Sequence, residues 1–278
     1  MAVVVCASCS EINVAAFKVV YEHADWLAQR MIGRYVDLSQ SQAQILRTQL
    51  ELLHRWHRTQ ELPLYASMLD DAAERVARRL TAEDAAWMLR FVNEHRQALG
   101  SRMADGLAPV LLTLTPDQRS QIAENLARDN ARYGHREIDP GREKTVEART
   151  DWLARQMEHW TGELTAAQRS RVRVVTAATA ELPEARLSEH RRRQRAFLQL
   201  IGAKPDEPAL HTVLASLVAA PRAEADESYR HVVMRYEEEL VRMLLDVDRG
   251  LSPRQRVTAV ARLHRFAQEL RELATEQR

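Results

Sequence analysis

A five-residue pattern, Leu-Ser/Thr-x-x-Gln, begins at Leu38, Leu114, Leu164 and Leu251, and Leu80-Thr81-Ala82-Glu83-Asp84 is a variant ending in aspartate. The spacing has a local physical meaning. A Ser or Thr at the N-cap of a helix accepts a hydrogen bond from the amide three residues on, and a Gln side chain there accepts one from the N-cap amide. Ser39 with Gln42, Thr115 with Gln118, Thr165 with Gln168 and Ser252 with Gln255 therefore predict four helix starts. Each hydroxyl is expected to contribute about 1 kcal/mol. Pro116 and Pro253 fall at the first helical position, where a missing N–H costs nothing. Arg119, Arg169 and Arg256 stand where a hydrophobic staple would need an apolar residue, so the leucines that open the motifs are expected to enter the core.

The rest of the chain agrees with helices. Apolar residues recur at i, i+3, i+4 and i+7 almost throughout, and no segment alternates with period two over the length of a strand. Strands and tight hairpins draw on glycine and aromatics, yet only 8 of 278 residues are glycine and 5% are aromatic. The expected fold class is all-α, with about a dozen helices. Expected spans are 12–35, 40–60, 64–79, 82–99, 102–112 and 116–133, then 142–161, 166–180, 184–201, 208–219, 223–249 and 253–276. Gly134, Gly202 and Gly250 read as stop signals, and Pro63, Pro183 and Pro221 as restarts.

An internal repeat sets the organisation. Asp25-Trp26-Leu27-Ala28 returns as Asp151-Trp152-Leu153-Ala154, Met31 as Met157 and Arg47 as Arg173. At the same offset Leu38-Ser39-x-x-Gln42 returns as Leu164-Thr165-x-x-Gln168, and the motif at Leu114 matches the one at Leu251. Two duplicated antiparallel helical units are expected, over residues 12–133 and 142–278, joined by a linker at 134–141.

The first eleven residues carry the only two cysteines, Cys6 and Cys9. A disulfide framework is thereby excluded, and one Cys-x-x-Cys pair without a second lacks the ligands of a structural zinc site. Val3-Val4-Val5-Cys6-Ala7-Ser8-Cys9 resembles the end of a bacterial lipoprotein signal: an apolar run, two small residues, then the cysteine that takes lipid. That resemblance implies lipidation at Cys9 and, with Ser10 rather than aspartate following, the periplasmic side of the outer membrane. If Cys9 is not lipidated, a cytoplasmic helical scaffold is the alternative. No segment approaches the roughly 18 apolar residues of a membrane span.

Two further resemblances rest on motifs. Repeated Leu-Thr-x-x-Gln on a helical chain resembles the Spy/CpxP-type periplasmic stress proteins, small α-helical chaperones or sensor partners. The tract Tyr21-x-x-Ala24-Asp25-Trp26-Leu27, then Leu38-Ser39-x-x-Gln42, then Trp56-His57-Arg58-x-x-Glu61-Leu62-Pro63-x-Tyr65-Ala66 is similar to a family of Gram-negative lipoproteins known only as a domain of unknown function. These resemblances imply a lipid-anchored, periplasm-facing protein whose partners are other proteins, and they imply no reaction.

Other constellations are weaker. His54 and His57, at i and i+3, can present two imidazoles to a metal on one helix face, so a metal-responsive sensor is the alternative function. Trp26 and Trp152 occupy equivalent repeat positions and are expected to anchor helix packing. Arg186 and the run Arg191-Arg192-Arg193-x-Arg195 lack the interleaved aromatics of a nucleic-acid reader. With Glu184 and Glu189 as intrahelical partners, they read as a solvated face, as does Glu237-Glu238-Glu239. Forty basic and 39 acidic residues leave a net charge of +1, so no global field recruits nucleic acid. No nucleophile elbow, P-loop or dinucleotide fingerprint is present. The expectation is a protein that is not an enzyme and takes no cofactor.

Overall fold

The computed structural model describes residues 14–203, 206–219 and 225–276; Cys6, Cys9 and Pro221 lie outside them. Within this range the fold is all-α. The helices are α1 (Val14–Glu22), α2 (Ala24–Ile32), α3 (Gln40–Trp56), α4 (Leu62–Ala77), α5 (Ala82–Leu111) and α6 (Pro116–Glu137). They continue as α7 (Arg142–Thr161), α8 (Ala166–Ala178), α9 (Leu182–Gly202), α10 (Glu207–Ala219), α11 (Glu227–Arg249) and α12 (Pro253–Thr275).

Several breaks differ from the sequence reading. The segment expected as one helix over 12–35 divides at His23, which stands between α1 and α2. Pro63 does not restart a separate helix. Residues His57–Glu61 form a π-helical turn that carries α3 into α4 without a loop. Proline cannot donate to the carbonyl four residues back and its ring crowds that carbonyl; the wider turn, closed by Leu62 N–H on the His57 carbonyl, leaves room for it. Helix α5 runs through Gly100 and Ser101, where two helices were expected. Helix α6 passes Gly134 and ends at Glu137, so the break before α7 is confined to residues 138–141. Among the described glycines only Gly141 and Gly162 take positive φ, at 88° and 83°. Gly134 and Gly202 are helical, and Gly250 caps α11 with φ −89°. Tertiary packing thus continues α5 past Gly100 and α6 past Gly134, where local punctuation alone would end them, whereas α9 and α11 end at Gly202 and Gly250 as expected.

In the long rod made by α3, the π turn and α4, helix α3 packs along α5, while the π turn and the start of α4 touch it through Glu61–His95 and Tyr65–Phe91. Late helices close onto this early hairpin: α12 lies along α4, and α10 lies along α5. Three contacts show that α12 and α4 run antiparallel. Arg256 meets the Val76 carbonyl, His264 meets Asp70 at 2.7 Å, and Arg58 Nη1 donates to the Glu276 carbonyl at 3.1 Å. The core is correspondingly divided. One cluster joins Phe17 and Tyr21 of α1 to Leu62, Ala66 and Leu69 of α4 and to Ala267, Leu270 and Leu273 of α12. A second centres on Ala104 and Ala108 of α5, with Leu114, Ile122, Ile201, Leu210 and Leu214. A third, around Ala154, Leu164, Val172, Val175, Met243 and Val247, fills the space among α7, α8 and α11.

Candidate functional site

Among the described residues five capping boxes form, at Ser39–Gln42, Thr81–Asp84, Thr115–Gln118, Thr165–Gln168 and Ser252–Gln255. Each N-cap residue has its backbone in the β-region, and each hydroxyl accepts from the N3 amide at 3.2–3.3 Å. The four glutamine boxes do more than cap, because the structure brings them together in pairs.

Gln42 and Gln118 face each other across two helix starts. Gln42 Nε2 donates to Gln118 Oε1 at 3.0 Å, and Gln118 Nε2 donates to Gln42 Oε1 at 2.7 Å. The remaining donors reach across as well: Gln42 Nε2 to the Thr113 carbonyl at 3.0 Å, and Gln118 Nε2 to the Asp37 carbonyl at 2.7 Å. Each Oε1 also accepts its own N-cap amide, from Ser39 at 2.9 Å and Thr115 at 3.0 Å. That amide can only be met by an oxygen, so it fixes which way each carboxamide points.

Gln168 and Gln255 repeat the arrangement. Their reciprocal bonds are 3.3 and 3.1 Å, their outer donors reach the Gly250 and Glu163 carbonyls at 3.1 and 2.8 Å, and their Oε1 atoms accept from Thr165 and Ser252. All four glutamines are buried. Each clasp thus satisfies the donors and acceptors of two buried amides and ties one helix start to the loop that precedes another. The motif leucines sit beneath: Leu114 and Leu164 are buried, and Leu38 and Leu251 pack against the same clusters.

The fifth box shows why glutamine is needed in the other four. Asp84 is buried too, but its carboxylate meets cations instead of a second amide: Arg78 Nη2 at 2.8 Å and Arg75. Those guanidinium groups and the Thr81 hydrogen bonds outweigh the cost of burial and hold its carboxyl well below the usual range. The arginines at the fourth helical position also find work. Arg119 donates to the Leu114 carbonyl at 3.1 Å, and Arg169 pairs with Glu158 at 2.8 Å. Arg256 Nη1 donates to Asp248 Oδ1 at 2.8 Å and also meets the Val76 carbonyl. Asp248, only 3% exposed, accepts the Leu80 amide at 2.9 Å with its other oxygen. This joint fastens the α11–α12 turn to the α4–α5 turn.

His54 and His57 do not share an open face. Tyr21 lies between them, its ring centroid 4.9 Å from His54 and 5.7 Å from His57, and its hydroxyl shares a 2.9 Å hydrogen bond with His57 Nδ1. Burial, with the His54 charge adding to it, pushes the His57 imidazole down to about 4, and burial pushes the Tyr21 phenol up. The π turn that places His57 also buries Arg58 and Glu61, and Glu61 Oε2 pairs with His95 Nδ1 at 2.6 Å. Among the described residues no group of three or more His, Cys, Asp or Glu side chains could hold a metal ion.

A pH dependence follows from His57. Its folded value lies below the ordinary value of about 6.5 that it regains on unfolding. Between these values only the unfolded chain takes up the proton, so the stability present above pH ~6.5 is lost progressively as pH falls towards ~4. The total is on the order of 3 kcal/mol. His159 and His190, also lowered by burial, add to the same limb. Urea melts of the protein and of His57→Gln over this window isolate the His57 share: the difference in slope between them should carry most of it, and parallel slopes would refute the assignment.

Two sequence readings are corrected. Trp26 and Trp152 do not anchor packing: they are 55% and 40% exposed, and Trp26 carries the Arg30 guanidinium 5.6 Å from its ring centroid. A tryptophan at matching repeat positions signals shared surroundings, and here the shared surroundings are surface. The arginine run is only partly a solvated face. Arg192 and Arg193 converge at 2.8 and 2.7 Å on Glu189, which is buried and held down at about 2 by these guanidinium groups despite its desolvation.

The reciprocal glutamine bonds, the π turn with the Glu61–His95 pair, and the Asp248 joint were not foreseen. The first had a signal in the sequence. A capping box accepts either Glu or Gln at its third position, yet four of these five boxes use the side chain that can also donate.

Comparison with curated proteins and with solved structures gave no match. Over residues 34–230, well over half of its length, the chain matches the family described as "Family of unknown function (DUF6279)". That stretch contains the complete Gln42–Gln118 clasp, the π turn and the Thr165–Gln168 box, and the chain belongs to this family.

Proposed function

We propose that this chain is a lipid-anchored, periplasm-facing protein that binds other proteins without catalysing a reaction, as a chaperone-like or envelope-stress factor. Lipid on Cys9 would hold it at the periplasmic side of the outer membrane. The observation that supports protein binding is a set of large apolar side chains left exposed on a clasped helical frame, among them Leu52, Leu64, Val92, Val174 and Val257. Side chains of this kind, held on rigid helices, offer contacts to unfolded segments without a nucleotide-driven cycle. The equivalent clasps and the matching Asp-Trp-Leu-Ala segments support a tandem duplication of one helical unit, with the late helices α10 and α12 packed onto the early hairpin.

The test is suppression of aggregation of a chemically unfolded model protein, run without ATP, once with chelator and once with added zinc. Near-stoichiometric suppression in chelator is expected. Suppression no better than an inert helical control would reject the chaperone-like reading, and suppression that requires zinc and vanishes in His54→Ala with His57→Ala would favour a metal-responsive sensor instead. Lipidation is tested separately by labelled palmitate in a Gram-negative host: label is expected on the protein and absent from Cys9→Ala.

A further inference from the structure

Helix α1 is apolar on both of its sides. Phe17 and Tyr21 point into the core, while Val19 and Val20, 56% and 38% exposed, point outward. Across the turn at His23, exposed Trp26 and half-buried Leu27 join Val19, Val20 and His23 in lining one open groove. A two-turn surface helix facing only water has no use for paired outward valines, which favour helix weakly and contribute nothing to folding when exposed. Beside Val19, Lys18 pairs with Glu276. Arg30 stands over the Trp26 ring, and exposed Arg34 lies one turn further on.

We infer that the α1–α2 face bearing Val19, Val20 and Trp26 seats on the surface of a lipid bilayer. The inference rests on lipidation at Cys9, as proposed above, and adds a second point of attachment to it. Only four residues lie between Cys9 and Val14, and the five steps span at most about 18 Å. A lipid on Cys9 therefore holds this face within reach of the headgroups. The chemistry of the face suits that region: a tryptophan sits well at the boundary of apolar and polar layers, with arginine side chains reaching up to phosphates beside it. The apolar area is small, and weak membrane signals act in pairs. The face orients a chain that the lipid retains, so the helices carrying Leu52, Leu64 and Val92 are presented at a fixed height above the bilayer.

The experiment uses the full chain as Cys6→Ser, coupled through Cys9 to a maleimide-headgroup lipid in phosphatidylethanolamine–phosphatidylglycerol vesicles, so that it does not depend on lipidation in cells. Brominated acyl chains quench tryptophans that reach them, and the difference from Trp26→Phe isolates the Trp26 signal. Trp26 should lose most of its emission in the coupled protein. The loss should disappear in Val19→Asp with Val20→Asp, and be weakened in Val19→Ser with Val20→Ser, with helical circular dichroism and coupling unchanged. Unquenched Trp26 in the coupled protein would overturn the inference. So would a Trp26 shielded from iodide without vesicles and released by Val3→Asp with Val4→Asp, which would place the chain's own first residues in the groove. Protection of Trp26 by an unfolded protein but not by lipid would equally overturn it. Palmitate labelling reports on the anchor alone, so a failed anchor and a failed face give different results.

Discussion

Gln118→Glu is expected to destabilise the fold by about 2–4 kcal/mol at neutral pH. The substitution keeps shape and preserves the capping box, because a carboxylate oxygen accepts the Thr115 amide as well as a carboxamide does. It removes the donors that reach Gln42 Oε1 and the Asp37 carbonyl, and sets a charged oxygen against the buried Gln42 Oε1, which keeps only the Ser39 amide. Among the described residues the new charge has no cation comparable to Arg75 and Arg78 beside Asp84, so burial raises its carboxyl and part of the loss should be recovered as pH falls. Urea melts at pH 7 and pH 5 read both effects. A variant as stable as the parent would mean that the motif only caps its own helix.

Asp248→Ala is expected to cost more, about 3–5 kcal/mol. It withdraws the carboxylate from Arg256, whose side chain is 16% exposed, and from the Leu80 amide. An arginine left in such a place keeps only the Val76 and Asp248 backbone carbonyls, and its charge is no longer compensated. The paired change Asp248→Ala with Arg256→Met should recover a large part of the loss, since removing both charges avoids an uncompensated ion. If the single variant melts within 1 kcal/mol of the parent, the turns at Leu80 and Leu251 are not joined through this carboxylate.

How much of this was legible in the sequence depended on the range of each interaction. The capping boxes are contained within four residues, so Ser39, Thr115, Thr165 and Ser252 announced their helices directly. The all-α class followed from periodicity along the whole chain. What joins Gln42 to Gln118 is a meeting of residues 76 positions apart, and nothing local says which two helix starts will converge. The same holds for the π turn. Pro63 is a stop signal by itself, and only the packing of α4 along α12, with Tyr65 against Phe91 of α5, makes a continued helix with one wide turn the better solution. Trp26 failed for the opposite reason: a large aromatic in a repeat suggests a core position, but its i+2 and i−5 neighbours Ala28 and Tyr21 take the buried face and leave it outside. His57 was visible as half of an i, i+3 pair, whereas Tyr21, which comes between the pair, approaches from another helix.

The glutamines work in two specific pairs, Gln42 with Gln118 and Gln168 with Gln255. A double-mutant cycle tests this pairing directly, with Gln42→Ala and Gln118→Ala singly and together, Gln168→Ala and Gln255→Ala likewise, and Gln42→Ala with Gln168→Ala as the cross pair. Within each clasp the second substitution should cost about 1–2 kcal/mol less than it does alone, because its partner has already gone, while the cross pair should add within about 0.5 kcal/mol. Additive losses within both clasps would contradict the pairing and reduce the motif to four independent helix caps.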